Sequence, residues 1–274
     1  MTQYGCAKMD IAEQFDIHIR SSIVETNEQF TSDHNNIFNV SKLNLSTMTL
    51  YYRSNIPIDI MNLKTHSIDI MTKLTEVGID IKTIDFSDKF FKNARIIQYK
   101  DIDNNRKCCL IFKDGGIQVK GCKSAVQGMH IANAILQGIH KKDIMVSQMQ
   151  VVLMNANFSI GKYISLHHLH THLIERNENA TYDKERRCGI NLKLKNGEDK
   201  DTTCMIFKRG HVTIMGAKSV AEVVASCTTI VKLLVDTSHD VVKEDVIEKV
   251  PDLPKKRGRK RKADVDALYS SIAL

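Results

Sequence analysis

At 274 residues the chain has room for one large domain or two small ones, and with 42% hydrophobic residues it can bury a core. Seven cysteines with no C-x-x-C pair argue against a disulfide framework or zinc ribbon; no run approaches the roughly 18 apolar residues of a membrane span, and the opening "MTQYGCAKMD" has no basic-then-apolar signal, so a soluble, intracellular protein is expected. The net charge of +7 is accounted for by "KKRGRKRK", whose seven bases are Lys255, Lys256, Arg257, Arg259, Lys260, Arg261 and Lys262, so the remaining body is neutral and bulk charge alone does not make it a nucleic-acid binder.

In chain order, residues 1–38 show no clear period and read as a poorly ordered or variable arm. The stretch "VSKLNLSTM" from Val40 then recurs as "VSQMQVVLM" from Val146, 106 residues later. A stronger repeat follows. "CLIFKDGGIQVKGCKS", Cys109 to Ser124, matches "CMIFKRGHVTIMGAKS", Cys204 to Ser219, at eight of sixteen positions and an offset of 95. The chain therefore holds two copies of one unit. The first stretch comes within one residue of a phosphate-binding loop, because Cys122 is wedged before Lys123 and Ser124. The residues between the glycines are strand formers, however, and copy two has the wrong glycine spacing. A hairpin followed by a helix is the better reading. "KDGG" makes the tight turn, Gly121 and Gly216 break the return strands, and Ser124 and Ser219 are helix N-caps with Gln127 and Glu222 completing capping boxes. Val126, Met129, Ile135 and Ile139, and in copy two Val220, Val223, Cys227, Ile230 and Leu234, are the core stripes of the two helices.

Alternation along the strands sends Cys109, Ile111, Ile117 and Val119, with Cys204, Ile206, Val212 and Ile214, toward the helices. The other face carries Leu110, Phe112, Gln118 and Lys120, with Met205, Phe207, Thr213 and Met215. A solvent face would normally be charged. This one is mixed and nearly uncharged, and is either a docking surface or the cover of another layer.

The two hairpins resemble the signature of the TATA-box-binding protein family, I-F-x-S-G-x-x-x-x-T-G-A-K-S. The resemblance implies an α+β saddle: two pseudo-repeats, 39–142 and 143–238, form one curved antiparallel sheet with helices on the convex face. The arm 1–38 and a basic tail, 239–274, flank it. It further implies that the concave face grips and bends the minor groove of A·T-rich double-stranded DNA, using four wedge phenylalanines, and that a B-type factor and RNA polymerase are the partners. Two wedges match Phe112 and Phe207. A Y-N-P-K-R-F pattern puts a third on Phe91 in "FSDKFF", and a Y-E-P-E-L-F-P-G pattern puts the fourth position on Arg187 in "YDKERRCG". Asp183 and Glu185 match the acidic pair that meets the B-type factor. The strand-one asparagines of the family fall on Asn44 and Gln150, with Ser46 and Val152 beside them. Leu110, Gln118, Lys120, Met205, Thr213 and Met215 complete the DNA face. Lys120 and Met215 replace a family hydroxyl and Gln118 a valine, departures that bear on TATA preference. The Ile-, Asn- and Lys-rich divergence resembles a large-DNA-virus version of the family, acting in the nucleus or at the site of viral transcription.

In "HHLHTH", His168 and His172 stand at i, i+4 as a helix-borne metal pair would, but a polar surface helix is the simpler reading. The basic tail suits nuclear import or DNA contact, or is merely solvated. No catalytic constellation, cofactor, membrane or small-molecule substrate is expected. The alternative to DNA binding is a saddle that serves as a protein-interaction platform.

Overall fold

The structure is a computed structural model and describes residues 6–34, 40–86, 92–101, 106–185, 188–195 and 201–243. An N-terminal helix, α1 (Cys6–His34), precedes the first copy. Copy one then runs β1 (Asn44–Arg53), α2 (Ser67–Glu76), β2 (Ile81–Phe86), β3 (Ala94–Asp101), β4 (Arg106–Phe112), β5 (Gly116–Cys122) and α3 (Ala125–His140). Copy two runs β6 (Gln148–Ser159), β7 (Tyr163–Ile164), α4 (Leu166–Glu175), β8 (Asn179–Thr181), β9 (Gly189–Lys195), β10 (Asp201–Phe207), β11 (His211–Ala217) and α5 (Val220–Asp236). A short α6 (Ser238–Val241) leads to β12 (Val242–Lys243), which pairs with β7.

Ten strands make one antiparallel sheet in the order β2-β3-β4-β5-β1-β6-β11-β10-β9-β8. From the middle outward, each copy lays down its first strand, its hairpin in reverse, and then its two outer strands. The copies meet where β1 pairs with β6. The register gives the repeat offsets independently of sequence identity. Gln118 and Thr213, 95 apart, face Tyr51 and Asn157, which are 106 apart. Asn44 and Gln150 are therefore equivalent positions, as the sequence match of the first strands expects.

The hairpins close as their glycines dictate. Gly115 N–H donates to Phe112 O (3.1 Å) and Gly210 N–H to Phe207 O (2.9 Å), with φ of 89° and 76°. A side chain at either position would be strained. Gly121 and Gly216 do not end their strands. At φ of 78° and 83° they sit where the pairing with the central strands shifts register, and the strands continue to Cys122 and Ala217. An extra residue in left-handed backbone makes a bulge, so the expected break is a bend.

The helix-facing set is buried as alternation predicts: Cys109, Ile111, Ile117, Val119, Cys204, Ile206, Val212 and Ile214 are at most 1% exposed. Helices α3 and α5 pack on them. Each of the six Ile and Val side chains among them contributes roughly 1.5–3 kcal/mol when fully buried. Ser124 Oγ accepts from Gln127 N (3.0 Å) and Ser219 Oγ from Glu222 N (3.1 Å). The Gln127 and Glu222 side chains reach back to Lys123 N and Lys218 N, completing both caps.

The arm departs from expectation. Residues 6–34 form a helix that lies on α3 and α5 as a second layer. Its inward positions, Ala12, Phe15, Asp16, Ile19, Ile23 and Thr26, do recur at helical spacing. Two of the six are polar and one is Ala, so the stripe is too faint to stand out in the sequence.

Candidate nucleic-acid interface

Paired residues in adjacent strands share a face. Across copy one, the face away from the helices therefore runs Ile96, Leu110, Gln118, Tyr51. Across copy two, the equivalent row runs Asn191, Met205, Thr213, Asn157. At the join Gln150 faces Tyr51, and Asn44 faces Asn157. None of these eight row residues, nor Asn44 or Gln150, is fully buried. A neighbouring row carries Cys108, Lys120, Thr49 and Leu153, matched by Thr203 and Met215. Neither row of these strands contains a carboxylate. The face thus offers amides, hydroxyls and two lysines, Lys120 and Lys193, among apolar side chains.

Phe112 and Phe207 end β4 and β10. Small residues, Ala94 and Gly189, stand opposite them, so each ring is left half-exposed at the same place in its copy. Val152 is 37% exposed near the join. Ser46 is half-buried, and its hydroxyl donates to Asn155 O (3.0 Å), leaving an acceptor lone pair outward. Asn155 also donates to Thr47 Oγ1 (3.2 Å) and accepts from Gly216 N (3.2 Å), which fixes the bulge beside Met215.

Burial, reinforced by Asp114, raises the Tyr51 pKa, so its phenol is a neutral hydroxyl. Burial likewise raises the Cys108 thiol. Arg53 and Asp114 pair at 3.8 Å at the rim, where exposure makes the pair weak.

Phe91 and Arg187 lie outside the described residues, as do the bases from Lys255 to Lys262. The strands that follow the first two are offset by 95, since Ala94 and Gly189 are equivalent. Phe91 and Arg187 are 96 apart. Counted from the strands, they are therefore one residue out of step. Asp183 and Glu185 are exposed, joined by Glu185 N donating to Asp183 Oδ1 (3.0 Å).

The near-miss phosphate loop has no free helix terminus. Asp16 of α1 accepts from Ala125 N (2.7 Å) and Val126 N (3.1 Å), so its carboxylate occupies the place a phosphate would take. The two histidines are also engaged. His168 Nδ1 meets Asp240 O at 3.1 Å, and His172 lies 3.5 Å from Glu175 and 3.4 Å from Asp240. Among the described residues no cluster of three or more His, Cys, Asp or Glu is placed to hold a metal, and no helix is long and apolar enough to cross a membrane.

The sequence reading missed Tyr51, Asn157, Ile96 and Asn191. Both repeat offsets, extended over the whole unit, would have found them.

The family model for transcription factor TFIID, or TATA-binding protein, matches residues 148–237, which is copy two from its first strand through α5. The likeness to the family therefore rests on a whole structural unit and not on one hairpin. Through this unit the chain is similar to the TATA-box-binding protein family. The family's protein from Aeropyrum pernix is 28% identical over 127 residues, 44% of this chain. The alignment spans 58% of that relative's own length. The solved TBP of Methanococcus jannaschii superposes with a TM-score of 0.53, at 16% identity, over 71% of this chain and 98% of its own. The fold is accordingly the α+β saddle of that family, with both copies present.

Proposed function

We propose that this chain is a DNA-binding transcription initiation factor whose uncovered sheet face grips and bends the minor groove of A·T-rich promoter DNA. One observation carries the reading: the two central rows of the open face hold amides and hydroxyls without a carboxylate, and Phe112 and Phe207 flank them at equivalent ends. The minor groove at A·T pairs presents only acceptors, which these donors match. Apolar wedges open base steps there and kink the duplex. Asn44, Gln118, Gln150 and Thr213 supply the polar contacts in this reading, while Ser46, whose proton goes to Asn155 O, lines the face with an acceptor only. Leu110, Val152, Met205 and Met215 supply apolar ones, and Lys120 meets a phosphate or the groove floor. Phe91 is a third wedge. Arg187 does not insert; its guanidinium lies in the narrow groove or on a phosphate. Asp183 and Glu185 face a B-type factor that leads to RNA polymerase, and the work takes place in the nucleus or wherever the chain's promoters are transcribed.

The test is bending. Energy transfer between dyes at the two ends of an A·T-rich duplex should rise on binding. Phe112→Ala and Phe207→Ala should each reduce the bend and weaken binding by roughly tenfold, because unstacking costs a few kcal/mol per step and needs the inserted ring to offset it. Variants that bind and bend like the wild type would overturn the wedge roles. A second reading is a protein-interaction platform, favoured by the outward Val152 and Met215. Failure of the wild type to bind any duplex would leave that reading in place.

A further inference from the structure

The two halves of the uncovered face differ sharply at one pair of equivalent positions. Tyr51 in copy one corresponds to Asn157 in copy two. The Tyr51 ring meets Phe112 edge to face, with centroids 5.9 Å apart and planes at 68°. Its hydroxyl end lies over Gly116, where a Cβ would collide with the Tyr51 ring and Oη. Gly116 has no positive φ, so its missing side chain serves the space Tyr51 takes and not the turn. The position equivalent to Gly116 is His211, which is exposed and faces Ser159. Three neighbouring positions thus form one set in copy one, Tyr51 with Gly116 and Phe112, and another in copy two, Asn157 with His211 and Phe207.

These sets answer differently to base sequence. A carboxamide has both a donor and an acceptor. In the minor groove it can donate to adenine N3 or thymine O2, or turn over and accept from the guanine amino group. A phenol pinned against Phe112 can donate to the same A·T acceptors. Its ring edge, however, fills the space into which the guanine amino group projects, and leaves that donor unpaired. The distinction matters for direction. If Tyr51 only stiffened Phe112, the benefit would be the same at every base step and would cancel between the two orientations of the saddle. Only a sequence-dependent difference between the halves survives that cancellation.

Resting on the reading of this face as a minor-groove surface, we propose that Tyr51 is a specificity-determining residue. It excludes G·C pairs from the half-site under copy one, while Asn157 tolerates them under copy two, and the difference fixes which way round the protein lies on an asymmetric site.

The test uses the full chain and an A·T-rich duplex with one G·C pair in one half and a photoreactive thymine analogue in the other. The crosslinked peptide identifies the copy over the A·T half. In the wild type, copy one should exceed copy two about fivefold or more, the discrimination of one disfavoured base pair. Tyr51→Asn should bring the ratio close to one. Tyr51→Phe, which keeps the bulk, should hold the wild-type ratio. The triple exchange Tyr51→Asn, Asn157→Tyr and His211→Gly, which gives the new ring its space, should reverse the ratio. Equal labelling by the wild type, or a Tyr51→Asn chain that binds tightly with the wild-type ratio, overturns the proposal and leaves DNA binding intact. No binding of the wild type to any A·T-rich duplex overturns the underlying reading instead.

Discussion

At the scale of single residues, the two faces of the sheet are separated by one step along each strand. Tyr51 and Tyr52 show this: Tyr52 is fully buried and donates to Ala125 O (2.7 Å), while Tyr51 lies on the open face against Phe112. The buried side also holds thiols. Burial raises the pKa values of Cys109, Cys122, Cys204 and Cys227, and those of Cys122 and Cys204 reach about 12 from an ordinary 9.0. A pKa raised in the folded state means the fold holds the proton more tightly than the unfolded chain does. The stabilisation is complete below about pH 9 and is lost as pH rises toward 12. The melting temperature should therefore decline steadily above pH 9. In Cys204→Ala the decline should be shallower, although the variant starts lower because it leaves a small cavity. An unchanged pH slope in that variant would mean that its thiol does not titrate with unfolding.

At the scale of elements, the hairpins and their helices were legible because each was written twice. Two imperfect copies of "IFK…G…G…KS" fixed the turns, the caps and the buried set at once. Helix α1 was not legible, because polar contacts tie it down where a wide apolar stripe would have announced it. Asp16 receives the first free N–H groups of α3, and Asn27 Oδ1 accepts from Leu43 N. The open face was half legible. The hairpin residues could be assigned by alternation, but Tyr51 and Asn157 lie on the central strands, where sequence identity between the copies is low and a bulge near Leu45 shifts the register. Asp16 allows a direct test of α1. Asp16→Ala strands one buried and one part-buried N–H group at a helix terminus, at a cost of about 2 kcal/mol. Urea unfolding should show a lower midpoint, and α1 should become sensitive to protease before the sheet does. Asp16→Asn keeps one acceptor and should lose about half as much. If Asp16→Ala unfolds at the wild-type midpoint, α1 does not contribute to the stability of the saddle.

At the scale of the whole molecule, two copies of one unit give a near-symmetric sheet, and a near-symmetric sheet on near-symmetric DNA has two almost equal ways to bind. Differences between the copies, such as Tyr51 against Asn157 and Lys120 against Met215, must choose between them, and the net positive charge is no such difference, because it lies in one run at Lys255 to Lys262, outside both copies in the sequence. A run of bases contacts phosphates, which position a protein without reading sequence. Its effect on DNA binding should therefore be large in magnitude and blind to sequence. Removing 255–262 should weaken binding to promoter-like and random duplexes by the same factor. It should also flatten the plot of log affinity against log salt, with each lost phosphate contact accounting for about 0.9 of slope. The ratio of specific to random binding should stay where it was, and so should the direction of binding set on the open face. Titrations of both duplexes at several salt concentrations separate these effects. A slope unchanged by the deletion would show that the tail does not lie on DNA in the complex and would leave nuclear import as its role. A specificity ratio that fell with the tail would show that it reads bases, as an arm inserted in the groove does.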